Sequence, residues 1–334
     1  MSTVVPPRKF AHAGEALKRL AFGSANVPQQ CVVGMRDPQS EVSVWLQGRG
    51  TALDVTNNNI IAAARPLTLG IGLRSESDRA MILECQPSLK FKEMSGEKRL
   101  LAEMKLRMIE SIPLGDEQLF LYAARSCRNY CVPRGRLWMR YLYDGYRQWR
   151  SERRSNMPTL RMPVRELHCV FAFYICPRPV VLVSVVDGNL GNIFPMDLIG
   201  PVGSRHFTLA LHNTSAILPL IERSQRVALS SIPVDRSSVA FELGKNHKSP
   251  SIDWGSLPFA TETSARFGLP VPQFSPRVRE MQIETIRTLG SHTLFVARTI
   301  EDESSADGLQ LFQIHGFYQA WRQQLRQTHS LAAA

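Results

Sequence analysis

Residues 176–233 read CPRPVVLVSVVDGNLGNIFPMDLIGPVGSRHFTLALHNTSAILPLIERSQRVALSSIP. The β-branched run Pro179–Val186 predicts a strand. It runs into Asp187-Gly188-Asn189, a turn signal that pairs neighbouring strands. Gly191–Gly200 then leads back into the sheet, and another strand follows. His212-Asn213-Thr214-Ser215 heads a helix. Asn, Thr and Ser at a helix start satisfy its free N–H groups. The same N–H and hydroxyl groups can bind a phosphate. Taken alone, the segment allows both readings.

The pattern continues outward on the C-terminal side. Short apolar, β-branched runs recur at His168–Ile175, Val180–Val186, Phe207–Leu211, Val227–Ile232, Met281–Leu289 and His292–Ile300. Most are bounded by Gly, Pro, Asn or Asp, which is a barrel or sandwich pattern rather than a βαβ one. Helices are predicted over Ser215–Arg226 and Phe317–Arg326. On the N-terminal side, residues 11–22 predict a short amphipathic helix, and Cys31–Met35, Val42–Leu46 and Leu67–Leu73 predict strands. Leu100, Leu101, Met104, Met108 and Ile109 recur at helical spacing, so a helix is predicted from Ser95 to Ile112, stopped by Pro113. Two more helices are predicted over residues 116–150, broken at Pro133-Arg134-Gly135. Residues 151–163, with few apolar side chains and two prolines, are the predicted linker. Cys31–Leu73 faintly echoes Val180–Leu211, with strands separated by an acidic turn and then an Asn-rich turn.

Composition narrows the function classes. The chain has 334 residues, 44% hydrophobic and 21% charged, with a formal net charge of +11. That is globular, and its length accommodates two domains. No apolar run approaches the roughly 20 residues a membrane span needs. The N-terminus lacks a long apolar core followed by a small-residue cleavage site. Six dilute cysteines are expected to be reduced thiols, so a cytoplasmic setting is expected. The charge is localised: residues 125–165 hold eleven arginines against Asp144 and Glu152 alone. Tyr130, Trp138, Tyr141, Tyr143, Tyr146 and Trp149 interleave with them. Such a mixture can bind single-stranded nucleic acid, but basic runs are more often interfaces or solvated faces, so nucleic acid is not the expected partner. There is no GxGxxG, no GxxxxGK[ST], no HExxH and no GxSxG. Cys127-x3-Cys131 has no matching second pair, and two thiols one helical turn apart are the simpler reading, so no metal is expected. Glu301-Asp302-Glu303 falls in a polar turn.

The order and spacing of several motifs resemble the flavin-reductase-like, FMN-binding split-barrel family. These are Pro177-Arg178-Pro179 with the strand after it, Asp187-Gly188, Asn192, Asn213-Thr214-Ser215, Val227–Ser230, Gly244-Lys245-Asn246-His247, and Gly290-Ser291-His292-Thr293-Leu294-Phe295-Val296. The resemblance covers about residues 165–305. It implies a mainly β fold with flanking helices: a split β-barrel over residues 161–334, preceded by an α+β region over residues 1–160. The first half would then carry the basic connector and a diverged split-barrel-like unit.

The resemblance also implies a homodimer with FMN in a groove near the subunit interface. Asn192 and the backbone of Phe194, Pro195, Met196, Asp197, Leu198, Ile199 and Gly200 would line the flavin. The family often has small hydroxyl residues in that loop; this chain departs from it. Asn213, Thr214 and Ser215 would hold the FMN phosphate. Lys245 is the foremost companion cation, with Arg178, Arg205 and Lys248 as others. His292 would be the catalytic histidine facing flavin and nicotinamide. The implied activity is NADH- or NADPH-driven reduction of bound flavin, serving a partner oxygenase or a substrate, with an acidic protein as another partner. The alternatives are an FMN-dependent enzyme with a dedicated organic substrate, or a non-catalytic flavin-binding interaction protein.

Overall fold

The computed structural model describes residues 30–48, 50–73, 86–152, 162–305 and 308–332. The first half holds β1 (Gln30–Met35), β2 (Val42–Gln47), β3 (Ala52–Asp54), β4 (Asn59–Ala64), β5 (Leu67–Leu73), β6 (Ser88–Glu93), β7 (Leu100–Leu114) and β8 (Glu117–Asn129). Two helices follow, α1 (Arg134–Glu152) and α2 (Val164–Phe173). The second half holds β9 (Arg178–Pro179), β10 (Val181–Asp187), β11 (Leu190–Met196), β12 (Ile199–Val202) and β13 (His206–His212). Then come α3 (Leu218–Ser224), β14 (Arg226–Ser231), α4 (Ser237–Leu243), β15 (Thr261–Thr263) and β16 (Pro270–Pro272). The chain closes with β17 (Arg277–Leu289), β18 (His292–Ser304), β19 (Gln310–His315) and α5 (Gly316–Ala332).

The fold is mainly β with flanking helices. One seven-stranded antiparallel sheet has the order β3-β2-β6-β7-β8-β5-β4, the other β11-β10-β14-β17-β18-β13-β12. In the second sheet, alternate side chains from all seven strands converge on one core. Val181, Val183 and Val185 meet Phe194, Leu209, Leu229, Met281 and Phe295, with Ile217, Leu220 and Ile221 at α3 as the plug. A sheet whose inner face closes on itself in this way is curled. Its two edge strands, β11 and β12, are separated by only Asp197 and Leu198. They are not paired with each other, so the barrel is split at that turn.

The first sheet curls round its own core, including Val44, Leu46, Leu69, Ile71, Phe91, Met104, Phe120 and Tyr122. Elements from beyond residue 160 cap that core. Phe171, Phe173, Phe312, Phe317 and Tyr318 belong to it. β19 pairs with β1 on one side and β9 on the other, so the chain's last strand ties the two halves.

A third apolar layer joins the sheets. Ile60, Ala62, Leu119 and Leu121 of the first pack against Val202, Ala210, Leu294 and Val296 of the second. Here the strands are buried on both faces: Phe295 points into its barrel, while Leu294 and Val296 point into the seam. Arg178 reinforces the seam, donating to both the carbonyl and the side-chain oxygen of Asn59 while stacking 3.9 Å above the Phe173 ring.

Three expectations are corrected. Residues 95–112 are not helical but largely β7, and residues 117–129 are its hairpin partner β8; only the second helix predicted over 116–150 forms, as α1. Ala102, Met104, Leu106, Ile112 and Leu114 are buried on one alternation of the strand, while Leu100, Leu101, Met104 and Met108 also fit a helical spacing, which is how the apolar pattern misleads. His168–Ile175 lies mostly on helix α2, whose Cys169, Phe171, Ala172 and Phe173 are all buried. A short apolar run of that kind carries no period to distinguish helix from strand. Cys127 and Cys131 are not on a helix; the Cys127 thiol hydrogen-bonds that of Cys169 instead. The helix predicted over residues 11–22 and residues 153–161 of the predicted linker lie outside the described residues. Among the described residues, no helix is long and apolar enough to cross a membrane.

α1 carries much of the basic block. Trp138, Leu142, Tyr146 and Trp149 are exposed on it, while Tyr141 stacks 3.4 Å from the His168 ring and Asp144 takes Arg140 at 3.2 Å.

Candidate functional site

The split in the second barrel opens into a cavity of about 510 Å³. Its walls come from five places. The β11–β12 turn supplies Pro195, Met196, Asp197 and Leu198; β13 supplies Ala210, Leu211 and His212; the following loop supplies Thr214, Ser215 and Ala216; and His247, Lys248 and His292 complete it. Of the residues expected at a site, Pro195, Met196, Asp197, Leu198, Thr214, Ser215 and His292 meet here.

The others serve elsewhere. Asn192 is fully buried and donates to the carbonyls of Asn246 and Ser249, at 3.2 and 2.7 Å. Asn246 returns a bond to the Ile193 carbonyl at 2.8 Å. This lacing holds residues 244–248 against β11, and His247 lies 2.8 Å from the Pro195 carbonyl. Phe194 and Ile199 are core residues. Gly200 faces the seam, where an added Cβ would lie 2.6 Å from Ile60. Asn213 donates to the Gly290 carbonyl at 2.8 Å and accepts from Thr293 at 3.0 Å, so it ties the loop to the β17–β18 turn. Lys245 lines a separate cavity of about 520 Å³; the lysine at the site is Lys248. His212, His247 and Lys248 carry only a weak sequence signal. The GKNHK run places one of its two lysines at the site, and spacing alone does not say which.

At the loop end, Thr214 is committed to His212: its hydroxyl lies 2.8 Å from Nδ1 and its N–H donates there at 3.2 Å. The hydroxyl proton is then engaged. Ser215 Oγ instead accepts from the Ile217 N–H at 3.5 Å, which leaves its own proton to donate. Ser215 and Lys248 are the donors best suited to an anion.

His292 is 6% exposed. Burial first, then the charges of His212 and Arg65, push its pKa down to about 4, so the ring is neutral at pH 7. The Ala64 N–H donates to Nδ1 at 3.4 Å. An N–H donor requires a lone pair there, so the neutral ring carries its proton on Nε2. The His212 ring stands edge-on, 5.2 Å away. Asp197 accepts from the Tyr174 hydroxyl at 2.8 Å. Burial raises its pKa; the Tyr174 bond, backbone N–H groups and His247 work against that rise. Among the described residues no group of three His, Cys, Asp or Glu side chains is placed to hold a metal.

Residues 173–321 match the family model of the flavin reductase like domain. Solved structures similar to part of this chain include an FMN-binding protein from Thermus thermophilus with bound p-hydroxybenzaldehyde (19% identity, 48% of this chain and 88% of that chain, TM-score 0.38). They also include the NADH:FAD oxidoreductase of Streptomyces globisporus C-1027 (16%, 48% and 95%, 0.41) and the styrene monooxygenase flavin reductase of Pseudomonas putida S12 (16%, 43% and 91%, 0.36). No curated protein sequence is significantly similar. Over residues 173–321 this chain is thus similar to the flavin reductase like domain.

Proposed function

We propose that the cavity at the split binds FMN and that the chain is an NAD(P)H-driven flavin reductase. One observation carries the reading. Within the segment that matches the flavin reductase like domain, a single cavity is lined both by anion donors, Ser215 and Lys248, and by a neutral histidine, His292. Its volume lies in the range of small-molecule sites, roughly 300–1,000 Å³. Met196, Leu198 and Leu211 supply apolar lining to the same cavity.

Bound FMN would supply two-electron chemistry, taking a hydride from NADH or NADPH and passing electrons to a partner oxygenase or a substrate. The chain's own residues divide the remaining work. Lys248 and Ser215 hold the phosphate. Met196, Leu198 and Leu211 exclude water. His292, protonated on Nε2, donates a hydrogen bond that orients the nicotinamide or a ring oxygen, and it does so without adding charge. Asp197, held by Tyr174, accepts a ring N–H.

The test is spectroscopic. Purified full-length chain mixed with FMN should show a flavin absorption band that persists through desalting. Anaerobic NADH or NADPH should bleach it. Failure to take up FMN at micromolar concentration overturns the reading; uptake without bleaching by either dinucleotide removes the reductase activity.

A further inference from the structure

The two seven-stranded sheets share one topology. Counted from its own first strand, each has the order 2-1-5-6-7-4-3, with all neighbours antiparallel. The registers agree as well. Leu114 pairs with Glu117 across the β7–β8 turn as Leu289 pairs with His292 across the β17–β18 turn. Aligned on those turns, Leu114-Gly115-Asp116-Glu117-Gln118-Leu119-Phe120-Leu121 matches Leu289-Gly290-Ser291-His292-Thr293-Leu294-Phe295-Val296. Gly115 and Gly290 both have positive φ, 63° and 55°. Phe120 and Phe295 both face their own barrel's core, and Leu119 and Leu294 both face the seam.

The same register makes Ile60 the counterpart of Gly200. Those two residues meet each other across the seam, with an added Gly200 Cβ only 2.6 Å from Ile60. Contact between a residue and its own counterpart is the mark of twofold packing. The flanking contacts are reciprocal too. His292, at the start of β18, takes the Ala64 N–H at the end of β4. Glu117, its counterpart at the start of β8, takes the Ser204 N–H at 2.8 Å, just past the end of β12.

The chemistry is not reciprocal. Glu117 stands where His292 stands.

We propose that residues 30–129 are an internal second copy of the C-terminal barrel that takes the place of a second subunit, so that one chain builds a single site, with Ala64 and Arg65 of the first copy completing the wall behind His292. Three observations fix that wall. Ala64 donates to Nδ1. The Ser291 N–H donates to the Arg65 carbonyl at 2.8 Å, and that carbonyl lies where a Cβ on Gly290 would sit. The seam face of the C-terminal barrel, with Val202, Ala210, Leu294 and Val296, is already covered by the first copy. The homodimer implied by the family resemblance is thus supplied within one chain.

The inference rests on the flavin reading only for its ligand count, and the experiment separates the two. Light scattering on the full chain, with and without FMN, should give the single-chain mass of 37.6 kDa. FMN titration should saturate at one per chain. A stable two-chain species, or two FMN per chain, overturns the proposal. If no FMN binds, the flavin reading fails while the mass still decides this one. Arg65→Gln supplies a readout that bulk stability would not move. By removing a charge felt at His292, it should shift that imidazole's NMR titration upward from about 4. An unshifted titration in a folded variant excludes Arg65 from the site.

Discussion

The backbone N–H of Ala64 and the hydroxyl of Ser291 converge on Nδ1 of His292, at 3.4 and 2.8 Å. The ring is therefore gripped from the first sheet and from its own turn at once. Its pKa of about 4 should appear directly as an NMR titration midpoint. The sign of the stability effect follows. An unfolded imidazole takes its proton near 6.5, so the unfolded chain binds more protons between about pH 6.5 and 4. Stability is full above that window and falls as pH drops through it. His315, pushed down to about 3 by burial, acts in the same direction. Across their windows His292 should cost on the order of 3 kcal/mol and His315 on the order of 5 kcal/mol. Chemical denaturation from pH 7 to 4 measures the loss. His292→Gln should flatten the slope; an unchanged slope would mean the ring is solvated.

Anion binding should discriminate between neighbouring residues. Lys248→Ala removes a cation at the cavity and should weaken FMN binding about tenfold or more, the scale of a charge-assisted bond. Lys245→Ala should leave affinity within a factor of two, because Lys245 lines the other cavity. Ser215→Ala should cost about fivefold and Thr214→Ala less, since the Thr214 hydroxyl already serves His212. Fluorescence titration of FMN ranks the four variants. Equal effects of Lys245 and Lys248 would place the phosphate elsewhere.

Much of the second barrel was legible because its strands sit between clear turn signals. Val181–Asp187 and His206–His212 fall within a residue or two of the runs that predict them. The long hairpin of the first sheet was not. β7 serves two cores, with Met104 and Leu106 in the barrel and Ile112 and Leu114 in the seam. Its period of two persists through Ala102, Met104, Leu106, Ile112 and Leu114, but Leu100, Leu101, Met104 and Met108 satisfy a helical spacing as well, so the apolar pattern alone does not decide. The site was half legible. The β11–β12 turn and the loop after β13 are local in sequence, so residues there could be named. Ala64 and Arg65 reach His292 from more than 200 positions away, and no local pattern announces a packing contact. The repeated Leu-Gly-x-x-x-Leu-Phe of β8 and β18 is the one sequence trace of that relationship.

Tyr174 and Asp197 offer a separate test. Burial raises the pKa of both, and the Tyr174 hydroxyl donates to that carboxylate at 2.8 Å. Tyr174→Phe keeps the ring's volume and deletes the donor. An under-satisfied buried carboxylate costs about 1–3 kcal/mol, so the variant should lose that much in urea denaturation at pH 7. Its Asp197 pKa should rise further, because a bond that lowered it is gone. The deficit should therefore shrink as pH falls and the carboxyl takes its proton. A deficit independent of pH would show that the ring's packing, not the bond, is what the hydroxyl affects.

Gly290 is the position where a single methyl group should uncouple the halves. Its φ is +55°, which a side chain adopts only with strain. An added Cβ would lie 1.9 Å from the Arg65 carbonyl oxygen, which is backbone and cannot rotate away. Gly188 provides the control. Its φ is +59°, yet nothing lies within 4 Å of its Cβ position. Gly188→Ala should thus cost only the backbone strain, about 1 kcal/mol. Gly290→Ala should cost about 2 kcal/mol more, because the β17–β18 turn must retreat from the first sheet. That retreat opens the Ala64 contact, so the His292 titration should move toward 6.5 in Gly290→Ala and stay near 4 in Gly188→Ala. Equal stability losses in the two variants would mean that the seam gives way without cost, and that His292 is held by its own barrel alone.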